Sequence, residues 1–208
     1  MYKIIETQDG STTIESDRFS GEEYHSTRGA VGEAMHVYIR FLEDGLSVLE
    51  MGFGSGLNAL LSLRSGLKLR YTTMELYPVD VEVIGGLSFY CEELEGLHSA
   101  EWGVWNAINK EFNFRKLRVD VSNISELPDE KFDLVFWDAF APTVVPEQWS
   151  EELFSAIFSR MNRGGRLVTY SSKGDVKRAL RGAGFEVRRL EGALGKHNMV
   201  LATVPCDN

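Results

Sequence analysis

Apolar and polar positions follow two different periods along this chain. Near the start the period is two. Residues 3–7 and 11–16 alternate around Asp9-Gly10, a favoured turn pair, and predict a hairpin. A polar stretch covers 17–28. The spacing then becomes helical over 29–42, where Val31, Met35 and Tyr38 fall at i, i+4 and i+7, Ile39 and Leu42 continue the face, and Gly45 closes it. From residue 46 short apolar runs alternate with helical patterns. Strands are predicted at 46–51, 69–75, 116–121, 133–138, 166–170, 185–190 and 198–204. Helices are predicted at 57–63, 78–90, 91–110, 146–161 and 173–183, with Gly164-Gly165 as a turn before the fifth strand. Regular alternation with continuously apolar strands predicts an α/β fold, a mostly parallel seven-stranded sheet covered on both faces. Roughly seven residues separate the last two strands, too few for a crossover, so one antiparallel strand is expected there. The expected organisation is a hairpin and polar connection over 1–28, then one domain over 29–208.

Composition changes this picture little. The chain has 208 residues, 43% hydrophobic and 25% charged, as a globular protein does. No run of about 18 apolar residues predicts a membrane span, and the N-terminus has no apolar signal core. Cys91 and Cys206 lie far apart and form no metal or redox motif. His25, His36, His98 and His197 make no spaced ligand set, so no metal site is expected. A reducing cytoplasm is the expected compartment.

The strongest local signal is Glu50-Met51-Gly52-Phe53-Gly54-Ser55-Gly56, between the first strand of the alternating region and its helix. Glycines there allow a tight turn and a close ligand, and the helix N-terminus adds free N–H groups. A dinucleotide fingerprint would place its third glycine one residue later. The spacing G-x-G-x-G after an acid resembles the first motif of S-adenosylmethionine-dependent methyltransferases, whose sheet plan the predicted strands share. A carboxylate at Glu50 would repel a pyrophosphate but suits the ammonium of a methionine moiety. Glu75 closes the second predicted strand, where an acid commonly meets ribose hydroxyls, and Asp120 lies in the third, where adenine is expected. Each acid taken alone is equally well a solvated strand end.

The most distinctive stretch is Phe136-Trp137-Asp138-Ala139-Phe140-Ala141-Pro142 with Pro146-Glu147-Gln148-Trp149. An acid directly after a buried strand can orient an amine and take its proton, and Phe140 and Pro142 can wall a flat substrate. With Tyr24-His25-Ser26, the Gly29–Glu33 segment, Thr169-Tyr170-Ser171 and Gly195-Lys196-His197-Asn198-Met199, these residues make the chain similar to the methyltransferase half of the MnmC family and its stand-alone MnmD relatives. The resemblance implies an S-adenosylmethionine-dependent enzyme that converts 5-aminomethyl-2-thiouridine to 5-methylaminomethyl-2-thiouridine at the tRNA wobble position. It implies Asp138 as the catalytic carboxylate, and Glu50, Gly52, Phe53, Gly54, Gly56, Glu75 and Asp120 around the cofactor. Tyr24 and Glu33 would close over the site. Bifunctional members carry a flavin domain for which this chain has no room, so a partner enzyme is expected to supply the aminomethyl precursor.

Charge pulls against an RNA substrate, since 22 basic residues face 31 acidic ones for a net −9. Residues 160–196, however, hold ten basic residues against three acids. Lys173, Arg178, Arg181 and Lys196 in that segment are candidate phosphate contacts. Two other readings stay open: methyl or aminopropyl transfer to a small amine, which an acidic surface suits, and a non-enzymatic cofactor-binding sensor or scaffold.

Overall fold

A computed structural model describes residues 2–19, 21–193, 195 and 198–206. The predicted hairpin forms from β1 (Tyr2–Glu6) and β2 (Thr12–Ser16), with Ile4 opposite Ile14. A two-residue β3 (Glu22–Glu23) pairs with β2, so part of the expected polar connection completes a three-stranded antiparallel sheet. Helix α1 (Ala30–Val37) is shorter than predicted and tightens into a 3-10 turn at Ile39–Phe41.

The remaining elements run β4 (Ser47–Met51), α2 (Leu57–Arg64), β5 (Leu69–Met74), α3 (Val81–Ile84), α4 (Glu92–Ser99), β6 (Asn106–Ala107), β7 (Phe112–Leu117), β8 (Phe132–Trp137), α5 (Glu151–Ser159), β9 (Met161–Thr169), α6 (Gly174–Gly182), β10 (Glu186–Leu190) and β11 (Met199–Thr203). Their sheet has eight strands in the order β10-β11-β9-β8-β4-β5-β7-β6. Pairings from β9 through β7 are parallel, while β11 runs against both β9 and β10. The predicted reversed strand is therefore present, and β6 adds a second, antiparallel to β7.

Several predicted boundaries move. The strand expected at 116–121 lies at Phe112–Leu117, because Phe112 and Phe114 fill the core and the charged pair after them is buried too. Arg115 is paired with Glu130 and stacked on Trp105, and Lys116 donates to the His98 carbonyl beneath the Trp102 ring. The helix expected over 91–110 ends at Ser99, and that over 78–90 shrinks to Val81–Ile84. The helix expected over 146–161 splits into a 3-10 turn at Pro146–Trp149 and α5, which Ser150 caps by accepting from Leu153 N. Gly164-Gly165 lies inside β9 rather than ahead of it.

Two cores pack on the two faces of the large sheet. Side chains of α5 and α6, including Phe154, Ile157, Val176 and Leu180, meet Leu49, Met51 and Trp137 on one face. On the other, α2 and α4 meet Val48, Tyr71 and Phe136 together with Ile14 of the small sheet. β4 is central: the chain winds from it through β5 to β7, then returns to place β8 on its other side. The loops after β4 and β8 thus flank the point where strand order reverses, the usual ligand position in open α/β sheets.

Candidate active site

A cavity of about 290 Å³ opens at the carboxyl ends of these strands, near the lower end of the roughly 300–1,000 Å³ common for small-molecule sites. The loop after β4 forms its floor. Gly52 (φ +95°) and Gly54 (φ +51°) hold left-handed backbone that an L side chain rarely adopts, and each is covered closely. A Cβ on Gly52 would lie 3.2 Å from the Asp138 carbonyl oxygen, and one on Gly54 would lie 2.8 Å from the Tyr24 ring. The amides of Gly52 and Phe53 donate to the Met74 carbonyl, tying the loop to the end of β5.

Glu75 stands just beyond β5. Its Oε2 accepts from Gly54 N (2.9 Å) and its Oε1 from Tyr77 N (2.7 Å). Burial pushes this carboxyl above the usual range while the backbone donors pull it back. Asp120 lies three residues past β7 rather than in the strand; its Oδ1 caps its own turn through Ser122 N and Oγ. Both acids line the cavity, as do Tyr24, Glu33, Gly52, Phe53, Gly54, Asp138 and Phe140.

Asp138 follows β8 and is gripped at both oxygens. The Tyr38 hydroxyl donates to Oδ1 at 2.7 Å, and Asn58 Nδ2 donates to Oδ2 at 2.8 Å. Both donors are almost wholly buried, Tyr38 just past α1 and Asn58 in the first turn of α2. The segment that follows is fixed from behind. Trp149 Nε1 donates to the Phe140 carbonyl, and the Tyr170 hydroxyl donates to the Ala139 carbonyl, both at 2.9 Å. Tyr24 meets Phe140 edge to face at 5.2 Å, so the small N-terminal sheet forms the opposite wall. His25, beside Tyr24, bonds the Ser55 hydroxyl through Nε2 at 2.8 Å, and burial holds it down at about 4, neutral near pH 7.

Other expected site residues lie elsewhere. Glu50 has no exposed surface and does not line the cavity; its carboxyl lies among β5 and α2 side chains. Gly56 is the left-handed residue that opens α2, packed under His98 and Leu94, also behind the wall. Pro142 is half-buried outside the lining. Lys173 and the α6 residues Arg178 and Arg181 are exposed and away from the cavity, with Arg178 paired to Asp175. Lys196 and His197 lie outside the described residues. Sequence reading missed Tyr38 and Asn58. Tyr38 carried only a helical core signal, and Asn58 only its place in the helix predicted over 57–63.

These residues fit an adenosyl sulfonium. Among the described residues, six carboxylates, those of Glu22, Glu23, Glu33, Glu75, Asp120 and Asp138, line the cavity, and no Lys or Arg does. Such a wall favours a cation over a phosphate. Glycine backbone lines the floor without side chains of its own, and the Glu75 carboxyl oxygens suit ribose hydroxyl donors. Fold and site together define a Rossmann-like methyltransferase.

Comparison with known proteins places the chain more narrowly. A family model described as S-adenosyl-L-methionine-dependent methyltransferase matches residues 100–205, and the chain belongs to that family. Its cofactor is S-adenosylmethionine. The chain is 29% identical over 207 residues to the tRNA 5-methylaminomethyl-2-thiouridine biosynthesis bifunctional protein MnmC of Chromobacterium violaceum, covering 86% of this chain and 31% of that protein. The protein of the same name from Azoarcus sp. is 28% identical over 210 residues, covering 86% and 32%. The chain thus spans about a third of the length of these relatives. Among solved structures, MNMC2 from Aquifex aeolicus superposes with a TM-score of 0.82 at 25% identity, over all of this chain and 73% of that one. Spermidine synthase from Thermotoga maritima, with a TM-score of 0.63 at 17% identity over 99% and 70%, shares the fold.

Proposed function

We propose that this methyltransferase acts on the primary amine of 5-aminomethyl-2-thiouridine at the tRNA wobble position, giving the 5-methylaminomethyl product. The similarity to the MnmC proteins supports the substrate class. The observation that carries the chemistry is Asp138, held by two donors at the cavity wall.

When bound, S-adenosylmethionine supplies a methyl group made electrophilic by its sulfonium. Gly52, Phe53, Gly54, Glu75 and Asp120 would hold it, the two acids suiting its hydroxyl and amine donors. Tyr24 and Glu33 close the N-terminal side. Asp138 would accept a hydrogen bond from the acceptor amine, orient its lone pair toward the cofactor side of the cavity, and take the proton the amine gives up. Because Tyr38 and Asn58 each donate to one oxygen, the Asp138 carboxylate is held in one orientation rather than free to rotate. Phe140 and Tyr24 offer ring faces and edges to a nucleobase. The scheme requires no metal.

In this reading residues 1–28 cap a catalytic domain spanning 29–208, and the protein works in the cytoplasm beside an enzyme that makes the aminomethyl precursor. Lys173, Arg178 and Arg181 meet tRNA phosphates outside the acidic cavity, so charge is divided between a cationic cofactor site and an anionic substrate's docking face.

The experiment is single-turnover methyl transfer to tRNA carrying 5-aminomethyl-2-thiouridine. Asp138→Asn is expected to bind S-adenosylmethionine within about twofold of wild type and to lose roughly 100-fold or more in rate. An undiminished rate removes Asp138 from the chemistry.

A further inference from the structure

Among the described residues, five buried polar atoms in one region lack a hydrogen-bond partner: both carboxyl oxygens of Glu50, Asn58 Oδ1, the Tyr71 hydroxyl and Thr73 Oγ1. Native interiors leave few such atoms, and a group of them needs a cause. The β4–β5 register sets Glu50 beside Thr73, with Tyr71 two residues earlier on the same face. Asn58 reaches in from α2 with its Nδ2 already given to Asp138. The groups that face the Glu50 carboxyl are Thr73 and Tyr71 from β5, Asn58 from α2, and Asp138 beyond β8; none is a cation.

An ionised carboxylate with no exposure and no counter-charge is costly, and it relieves that cost by taking a proton. Burial above all pushes Glu50 well above the usual carboxylate range; the Thr73 hydroxyl opposes it, the Asp138 charge adds to it, and the Asn58 and Tyr71 side chains oppose it more weakly. A proton on Glu50 supplies the donor that this group lacks. Its O–H has Asn58 Oδ1 to donate to, and its carbonyl oxygen can receive the Thr73 and Tyr71 hydroxyls.

We propose that Glu50 is a neutral positioning residue: its O–H holds the Asn58 amide oxygen, so that Asn58 presents only Nδ2 to Asp138. Without that restraint the amide can flip and turn its oxygen on the Asp138 carboxylate, losing a donor and adding a repulsion. This role differs from the cofactor contact that the resemblance implies for the acid before the glycine loop. Its effect on turnover rests on Asp138 as the proton acceptor; the protonation of Glu50 does not.

The test begins on cofactor-free protein. Infrared difference spectra between wild type and Glu50→Gln, at mildly alkaline pH, are expected to show one protonated-carboxyl C=O band lost in the variant. Calorimetry is expected to give Glu50→Gln an S-adenosylmethionine affinity within about twofold of wild type, since the Gln amide replaces the O–H donor. Its turnover stays within a few-fold, whereas Glu50→Leu, with no donor, loses roughly tenfold in kcat at unchanged KM for the cofactor. Absence of the band, or a loss of roughly tenfold or more in cofactor affinity in Glu50→Gln, overturns the proposal: the first makes Glu50 an anion, the second a cofactor ligand. If the variants do not fold, wild type labelled at the glutamate carboxyl carbon carries the test. A shifted protonated-carboxyl band that S-adenosylmethionine leaves unchanged, as it would not leave Glu75, supports the proposal, and its absence overturns it. Failure of wild type to methylate tRNA leaves the band and the affinity readable and strikes only the substrate reading.

Discussion

Each oxygen of Asp138 accepts from a different element, so removing either donor tests the grip without touching the cofactor wall. Tyr38→Phe deletes the 2.7 Å donor to Oδ1 and keeps the ring that packs on Phe136. A hydrogen bond to a charged group is worth about 1.5–3 kcal/mol. We expect kcat to fall roughly tenfold to 100-fold, with S-adenosylmethionine affinity within about twofold by calorimetry; a matching loss of affinity would make Tyr38 a general packing residue. Gly54 tests the floor. With φ at +51° and Tyr24 over it, Gly54→Ala meets both backbone strain and a 2.8 Å contact. Cofactor affinity should fall by roughly tenfold, and adding Tyr24→Ala should restore only part of it, because the strain at φ remains.

At the scale of elements, the strands, the glycine loop and the place of Asp138 after β8 were legible because each has a local signal: a continuous apolar run, glycines before a helix, an acid directly after a buried strand. What was not legible depended on partners distant in sequence. β7 begins earlier than its apolar pattern predicts because Arg115 and Lys116 are buried against Glu130, Trp105, Trp102 and the His98 carbonyl. Asn58 and Tyr38 gain their role only when α1, α2 and β8 converge on Asp138. Glu50 reads as a cofactor acid from spacing, yet strand parity turns it toward α2 and away from the cavity. The predicted basic segment does surface on an element: Lys173, Arg178 and Arg181 are exposed at and along α6, apart from the site. Arg178→Glu with Arg181→Glu should weaken tRNA binding and reduce the slope of log affinity against log salt by about two, measured by filter binding across a salt series. Cofactor affinity should not change; an unchanged slope would move the docking face elsewhere.

The whole molecule carries a net charge of −9, and among its described residues no helix is long and apolar enough to cross a membrane. Its stability should depend on pH through two buried histidines. Burial holds His25 and His98 down at about 4, against 6.5 when free. Between those values the unfolded chain binds protons that the folded chain refuses, so stability is complete above about pH 6.5 and declines as pH falls toward 4. Asp9 adds a second, lower window. Although burial opposes it, hydrogen bonds from Ser11, Gly32 and Thr7 hold it at about 2, so its contribution is kept above its free value of 3.8 and lost as pH falls toward 2. Urea midpoints measured from pH 7 to 4 should drop for wild type and drop less for His25→Gln. The central claim concerns the acceptor. The most direct measurement incubates the protein with methyl-labelled S-adenosylmethionine and tRNA from cells lacking this gene, with diamines and polyamines assayed in parallel. The account predicts label in tRNA, mapping on nucleoside digestion to a 5-methylaminomethyl-2-thiouridine at the wobble position. Label confined to small amines, or absent from both pools while the cofactor still binds, would contradict it.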